Sequence, residues 1–417
     1  MKRYDTYKDS GVQWLGEIPG HWECVKLKMF CQDNKEKNKG NIESCVLSLS
    51  YGNIIVKKNV NFGLVPENYE SYQIVNPGNI ILRLTDLQND HKSLRTGLVK
   101  NRGIITSAYV GLIVKNMNSE YTQLILHSYD VMKVFYGMGG GLRQSMSYTD
   151  IANVYIPVPP LSEQRSIVSF LDAKCGKIDE WVTKKQKEVE HLQELKQRVI
   201  ADAVTRGLNP HVKMKATNIP WLKEIPEHWE MRKMKYIFDE RSEKNHPDEP
   251  MLSATQSEGV ILQSKYQGRV VVVNTGFEGL KLVKVGDFVI HLRSFQGGIE
   301  YAHYRGIISS AYTILNPKYP EFSAYYKRLF KSSSFIDLLK ICVTGIREGQ
   351  NINYSKLKQF SIPVPPLSEQ KQIVSYLDTK CAKIDKLITN ITKEIDCIKE
   401  YKQRLISDVV TGQIKVC

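Results

Sequence analysis

Apolar positions along this chain follow two rhythms. Over residues 162–205, and again from residue 368 onward, apolar side chains recur at heptad spacing. The a positions of the first run are Val168, Cys175, Val182, Val189, Lys196 and Ala203, with Leu171, Ile178, Lys185, Leu192 and Val199 at d. In the second run Val374, Cys381, Ile388, Ile395, Lys402 and Val409 occupy a, and Leu377, Ile384, Ile391, Ile398 and Leu405 occupy d. Only Lys185, Lys196 and Lys402 break the seam. The pattern predicts two helices, the first roughly 66 Å long at 1.5 Å per residue, each carrying a stripe that needs a partner, which the other copy supplies. Each run follows a Pro-Pro pair that cannot continue a helix, with Ser162 or Ser368 in the expected N-cap place and Glu163 or Glu369 favouring the helix dipole. Gly207 and Gly412 stand where helix stops belong. Cys175 and Cys381 fall on the seam and read as buried thiols.

The rest of the chain has the shorter rhythm of strands and turns. Runs such as Gln73-Ile-Val-Asn-Pro-Gly-Asn-Ile-Ile-Leu-Arg83 and Val270–Val273 are punctuated by Gly, Asn and Pro. Helical spacing returns only at 120–136, with a counterpart at 321–340. The predicted class is α+β: two mixed α/β globules, residues 1–155 and 207–361, joined by two long coiled-coil-like helices in 156–206 and 362–417.

The chain is written twice, with a period of about 206 residues, far beyond that of a solenoid. Ile156-Pro-Val-Pro-Pro-Leu-Ser-Glu-Gln164 recurs unchanged as Ile362-Pro-Val-Pro-Pro-Leu-Ser-Glu-Gln370. Roughly 30 of about 50 positions match across 156–206 and 362–412. Trp14-Leu-Gly-Glu-Ile-Pro-Gly-His-Trp-Glu23 returns as Trp221-Leu-Lys-Glu-Ile-Pro-Glu-His-Trp-Glu230, and Gly103-Ile-Ile-Thr-Ser-Ala-Tyr109 as Gly306-Ile-Ile-Ser-Ser-Ala-Tyr312. Between these anchors the halves diverge: Leu47-Ser-Leu-Ser-Tyr-Gly-Asn53 faces Leu252-Ser-Ala-Thr-Gln-Ser-Glu258, and Arg83-Leu-Thr-Asp-Leu-Gln88 faces His291-Leu-Arg-Ser-Phe-Gln296. One scaffold carries two different surfaces.

Charge adds a partner class. Lysine and arginine number 58 against 44 acidic residues, a formal charge of +14, which favours a polyanion. The eight cysteines show neither zinc spacing nor a disulfide framework, and read as reduced. No apolar leader or run of membrane-spanning length is present, so a cytoplasmic protein without a membrane partner is expected.

Taken as a set, the two P-V-P-P-L-S-E-Q helices, the W-L-x-E-I-P-x-H-W-E openings and the G-I-I-x-S-A-Y strands resemble type I restriction-modification specificity subunits along essentially the whole length. The resemblance implies that each globule is a target-recognition domain for one half of a bipartite, asymmetric site in double-stranded DNA, and that the helices form an antiparallel spacer. It also implies partners: two modification subunits that use S-adenosylmethionine, and restriction subunits that use ATP and Mg, with no cofactor on this chain. The alternative is an orphan scaffold of the same build that binds proteins but not specific DNA.

Candidate contacts follow from side-chain chemistry. Two glycine-flanked polar loops, residues 137–148 and 344–354, carry Arg143, Gln144, Arg347, Gln350 and Asn351, which suit phosphates and base edges. Arg83, Thr85, Arg293 and Gln296 lie in the divergent stretch after a predicted strand, where differences in base readout belong. Lys57, Lys58, Lys265, Tyr266 and Arg269 follow the divergent first strand as phosphate candidates. Ser107, Tyr109, Ser310 and Tyr312 sit in strand-like runs open to burial or phosphate contact, and His21 and His228 read as structural. No catalytic or metal-binding residue is expected. The chain has no G-x-x-x-x-G-K-[ST] loop, no N/D-P-P-Y/F motif, and no E-x-K after Pro247-Asp248-Glu249.

Overall fold

The computed structural model describes residues 2–57, 68–90, 93–138, 145–266, 268, 276–292, 294–344 and 351–416, the side chains of Thr344 and Asn351 excepted. The chain divides into two compact units: residues 1–185 with 393–417, and residues 186–392. The expected strand at 270–273 lies outside the described residues.

In the first unit the four-stranded antiparallel sheet runs in the order Cys31–Asp33, Val110–Val114, Ile80–Leu82, Thr96–Leu98. Gln73–Val75 pairs with Gly103–Ile105, Glu23–Lys26 with Tyr155–Val158, and Leu47–Ser50 with Asn53–Val56. The second unit repeats this strand for strand. Its sheet runs Phe238–Arg241, Thr313–Pro317, Phe288–Ile290, Glu300–Tyr301, beside pairs of Lys281–Val283 with Gly306–Ile308, Glu230–Lys233 with Ser361–Val364, and Leu252–Thr255 with Gly259–Leu262. The run at 73–83 is two strands because Gly78, at φ 91, turns the chain between them.

The long helices span Leu161–Arg206 and Leu367–Val410. Their onset corrects the expected cap. The carbonyl of Pro160 accepts from the N–H groups of Glu163 and Gln164, so Ser162 lies inside the first turn. The same holds in the second helix, where Pro366 accepts from Gln370. Gln164 and Gln370 complete the start by donating to Pro159 and Pro365. A Pro-Pro pair can begin a helix this way because its missing N–H groups would be orphans there in any case.

Every predicted a and d side chain is buried or half-buried. In the first unit Ile167, Val168 and Leu171 share a core with Leu405, Ile406, Val409 and Val410; in the second, Ile200, Ala203 and Val204 share one with Ile373, Leu377 and Cys381. Early residues of one helix meet late residues of the other, so the pairing is antiparallel. Two of the seam-breaking lysines are matched across it. Lys402 reaches both carboxylate oxygens of Asp179 at 2.7 Å in the first unit, and Lys196 those of Asp385 at 2.6 and 2.7 Å in the second. The aspartates are half-exposed, so each pair contributes at most about 1 kcal/mol and acts chiefly on register. Lys185 lies over the ring of Trp181 instead.

The helix at 120–136 forms as Ser119–Val131 followed by a 3-10 turn. Its counterpart is broken: Ser323–Leu329 and Ser333–Ile341 are separate helices, because the Ser332 side chain caps the second by accepting from the Phe335 N–H. The break leaves Lys331 between them. Among the described residues, no helix is long and apolar enough to cross a membrane.

Candidate nucleic-acid interface

The repeated motifs build the frame. Glu163, in the first turn of its helix, accepts from the Tyr4 hydroxyl and contacts His21 Nε2 at 2.8 Å. Glu369 contacts His228 Nε2 at 2.8 Å and accepts from Trp229 Nε1 at 2.9 Å. His21 and His228 are structural, as expected, and the fully buried Trp22 and Trp229 anchor the same corners. The G-I-I-x-S-A-Y turns are held alike: Gln73 Nε2 donates to the Tyr109 carbonyl at 2.7 Å, and Lys281 Nζ, at the matching strand position, to that of Tyr312 at 2.7 Å. Ser107 is exposed and accepts from Lys37 Nζ at 2.7 Å.

The divergent segments come together upon this frame. In the first unit the Leu47–Val56 hairpin turns at Tyr51 and Gly52, both with positive φ, which suits a two-residue hairpin turn. It lies against the Thr96–Leu98 strand. A Cβ at Gly97 would stand 2.7 Å from Leu49 Cδ1 and 3.0 Å from Ile54 Cδ1, so any larger residue there would make those side chains shift. Tyr51 is left 86% exposed at the tip. Next to the same strand runs the loop 83–90, wrapped around the fully buried Arg95.

The geometry around Arg95 is saturated. Nε donates to Tyr136 Oη at 3.0 Å, Nη1 to the carbonyls of Arg83 and Thr85 at 3.0 and 2.8 Å, and Nη2 to those of Asp86 and Asp90 at 3.2 and 2.5 Å. A guanidinium has five N–H donors, and all five are used. The charge is offset by the Asp90 carboxylate at 4.0 Å, while Asp130 accepts from the Arg95 backbone N–H at 2.6 Å. Burial raises the Asp130 pKa above the ordinary carboxylate value even so.

The second unit solves the same problem with different residues. The tip of the Leu252–Leu262 hairpin meets the one-turn helix Ser294–Gly297, where a Cβ on Gly297 would stand 2.9 Å from Gln256. Lys331 Nζ donates to the Gln256 carbonyl at 3.2 Å, the Gly297 carbonyl at 2.9 Å and the fully buried Glu300 carboxylate at 2.5 Å. An ammonium has three donors, again all used. The cation here comes from the helix break and the carboxylate from the strand, whereas in the first unit the cation precedes the strand and Asp130 lies on the helix.

Several sequence candidates fall on these surfaces. Arg83 and Thr85 belong to the Arg95 loop; the Arg83 side chain is one-third exposed and paired with Asp90 at 3.1 Å. Gln296 is exposed on the one-turn helix beside the hairpin tip. Lys57 and Lys265 are exposed but stand at the far ends of their hairpins, about 13 Å from the tips along four-residue strands. Lys265 there lies over the Tyr304 ring and donates to its hydroxyl at 3.0 Å, with the exposed Tyr266 beside it. Arg143, Gln144, Arg293, Arg347, Gln350, Lys58 and Arg269 lie outside the described residues, as does the Asn351 side chain, though its backbone pairs with Thr344. The sequence reading missed Arg95, Lys331, Glu300 and the exposed Tyr51. Arg95 sits between a polar loop and a Thr-Gly-Leu strand with no repeated counterpart, so neither repetition nor periodicity marks it.

The profile of the Type I restriction modification DNA specificity domain matches residues 19–191 and again 222–396. The chain belongs to this family. The MjaVIII type I restriction enzyme specificity subunit of Methanocaldococcus jannaschii is 25% identical over 419 residues, covering 96% of this chain and 94% of that protein. A second protein of that organism, named as the MjaX specificity subunit, is 26% identical over 287 residues. That match covers 66% of this chain and 62% of the relative, under two thirds of its length. A chain from a solved structure concerned with complex assembly and conformational transition of the type I R-M system matches at a TM-score of 0.66 and 16% identity, over 95% of this chain and 99% of that one. At that identity the likeness concerns the fold alone. The specificity-domain profile therefore recurs once per half, on the two globules whose hairpin and loop surfaces differ.

Proposed function

We propose that this chain is the non-catalytic, DNA-reading subunit of a cytoplasmic type I restriction-modification enzyme. Each unit reads one half of a bipartite, asymmetric site in double-stranded DNA. The long helices set the spacing between halves and dock two modification subunits, to which restriction subunits add. S-adenosylmethionine, ATP and Mg belong to those partners. The observation that carries this reading is one scaffold present twice, with the same four-stranded sheet and the same flanking strand pairs, and a different hairpin-and-loop surface on each copy. A homodimeric reader presents the same surface twice and reads a palindrome; two unlike surfaces on one chain fit an asymmetric site. Membership of the specificity-domain family and the formal charge of +14 support it.

The test is methylation of a random-sequence DNA library by this chain assembled with its modification subunits. A two-part consensus with an unread gap is expected, with log affinity falling by roughly 0.9 per neutralised phosphate for each unit of log salt. Modification without sequence preference would favour the orphan scaffold, and methylation by the chain alone would overturn the non-catalytic assignment.

A further inference from the structure

We propose that Arg95 and the Lys331–Glu300 pair are positioning residues that set the sequence read by each half, acting through backbone and not by touching DNA. This rests on the reading of the chain as a DNA-specificity subunit and adds to it where discrimination is encoded. Base readout needs exposed side chains held within a fraction of an ångström, and loops hold such positions only when their backbone is over-determined. Residues 83–90 form no strand or helix, so their carbonyls need partners from elsewhere. One buried guanidinium supplies partners to four of them, those of Arg83, Thr85, Asp86 and Asp90. The side chains set on that backbone include Arg83 and Thr85, and the hairpin ending in Tyr51 abuts the strand that follows Arg95.

In the second unit Lys331 joins three separate segments at one atom: the hairpin tip through Gln256, the one-turn helix through Gly297, and the sheet through Glu300. Gly298, at φ 87, admits the helix break that carries Lys331, since a Cβ there would stand 2.1 Å from the Phe330 carbonyl oxygen. In both units the donor set of the cation is fully spent on protein acceptors, so neither cation has a donor left for a base or a phosphate. Their influence on recognition is conformational.

The two cations lie in different units, which makes the proposal separable. Arg95→Lys keeps the charge but offers three donors in place of five. In the complex with modification subunits, it is expected to raise methylation of non-cognate bases about tenfold or more in the half-site read by the first unit, with the other half unchanged. Lys331→Met is expected to do the reverse. Tyr136→Phe removes the acceptor of Arg95 Nε, and Glu300→Gln leaves Lys331 an acceptor oxygen but takes away its countercharge; both are expected to give smaller changes confined to the same halves. These serve as the test if the stronger variants fail to assemble. A purely structural role would lower thermal stability and total methylation without altering base preference. Unchanged preference in both halves, or equal loosening of both by either variant, overturns the proposal. A wild-type complex with no sequence preference overturns the specificity reading itself, and that control separates the two failures.

Discussion

Gly412 and Gly207 hold matching places at the ends of the two long helices, with φ of 80° and 77°, yet alanine is expected to cost different amounts at the two. The left-handed backbone alone costs an L-residue roughly 1–2 kcal/mol. At Gly412 a Cβ would also stand 2.3 Å from Pro19 Cδ, 2.6 Å from its Cγ and 3.2 Å from Trp22 Cζ3. Pro19 is fixed by its pairing with Tyr7 and Trp22 is fully buried, so the clash adds an overpacking cost of about 1–3 kcal/mol. The total is about 2–5 kcal/mol. At Gly207 the matching proline stands off, Pro226 Cγ lying 3.8 Å from a Cβ, and the near atoms are Glu369 Oε1 at 2.9 Å and Trp229 Cζ2 at 3.3 Å; with no proline ring in the way, the overpacking cost is expected at the low end, for a total of about 2–3 kcal/mol. Gly11 isolates the backbone term, having φ of 70° and nothing within 4 Å of a Cβ. Native-state hydrogen exchange, read on peptides of each unit, measures the opening free energies separately. Gly412→Ala should destabilise the first unit well beyond Gly11→Ala, and Gly207→Ala should destabilise the second by less than Gly412→Ala does the first. Equal costs at Gly412 and Gly207 would refute the claim that Pro19 closes this corner.

Burial pushes the Cys31 thiol up to about 12, whereas Cys397 is exposed on the second long helix; iodoacetamide at mild alkaline pH should label Cys397 first and Cys31 only on unfolding, as peptide mapping would show. Early labelling of Cys31 would mean that the first core opens readily. His127 is buried against Gln403, 2.8 Å away, and burial lowers its pKa below the ordinary 6.5. The unfolded chain therefore takes up a proton before the folded one does. Stability from the neutral ring is complete above pH 6.5 and is lost as pH falls from there toward the folded pKa. Exchange protection of the Ser119–Val131 helix should decline over that window, and His127→Gln should flatten the decline.

The long helices were legible because a seam repeats over many heptads, and Lys196 and Lys402 stood out on it as exceptions that the structure matches with aspartates. The His-Trp corners were legible because they occur twice. The Ser162 cap was misread because residue type alone does not show that a preceding proline carbonyl already accepts the first bonds. The broken counterpart of the 120–136 helix was missed because its periodicity continues across Ser332, whose capping role is a local choice between helix and turn. Arg95 and Lys331 escaped for a deeper reason. They do related work with opposite placement of charge, so comparing the halves pairs neither with the other, and nothing in an isolated Arg or Lys shows that all its donors will be spent on distant carbonyls. Divergence located the variable surfaces, while the groups that shape them are visible only in three dimensions.

The division of the chain has a consequence for its synthesis. Residues 186–392 form one unit without interruption, whereas the other unit closes residues 1–185 against 393–417. The closure is specific: Tyr7 donates to the Gly412 carbonyl at 3.0 Å, Lys402 meets Asp179, and the Lys415 N–H donates to the Lys2 carbonyl at 2.9 Å. On a ribosome adding about 5–20 residues per second, the globule translated first waits for its last helical segment until after every residue of the second has been made. The N-terminal apolar seam around Val168 and Leu171 thus stays uncovered longest in the nascent chain, and is where a chaperone has the most time to bind.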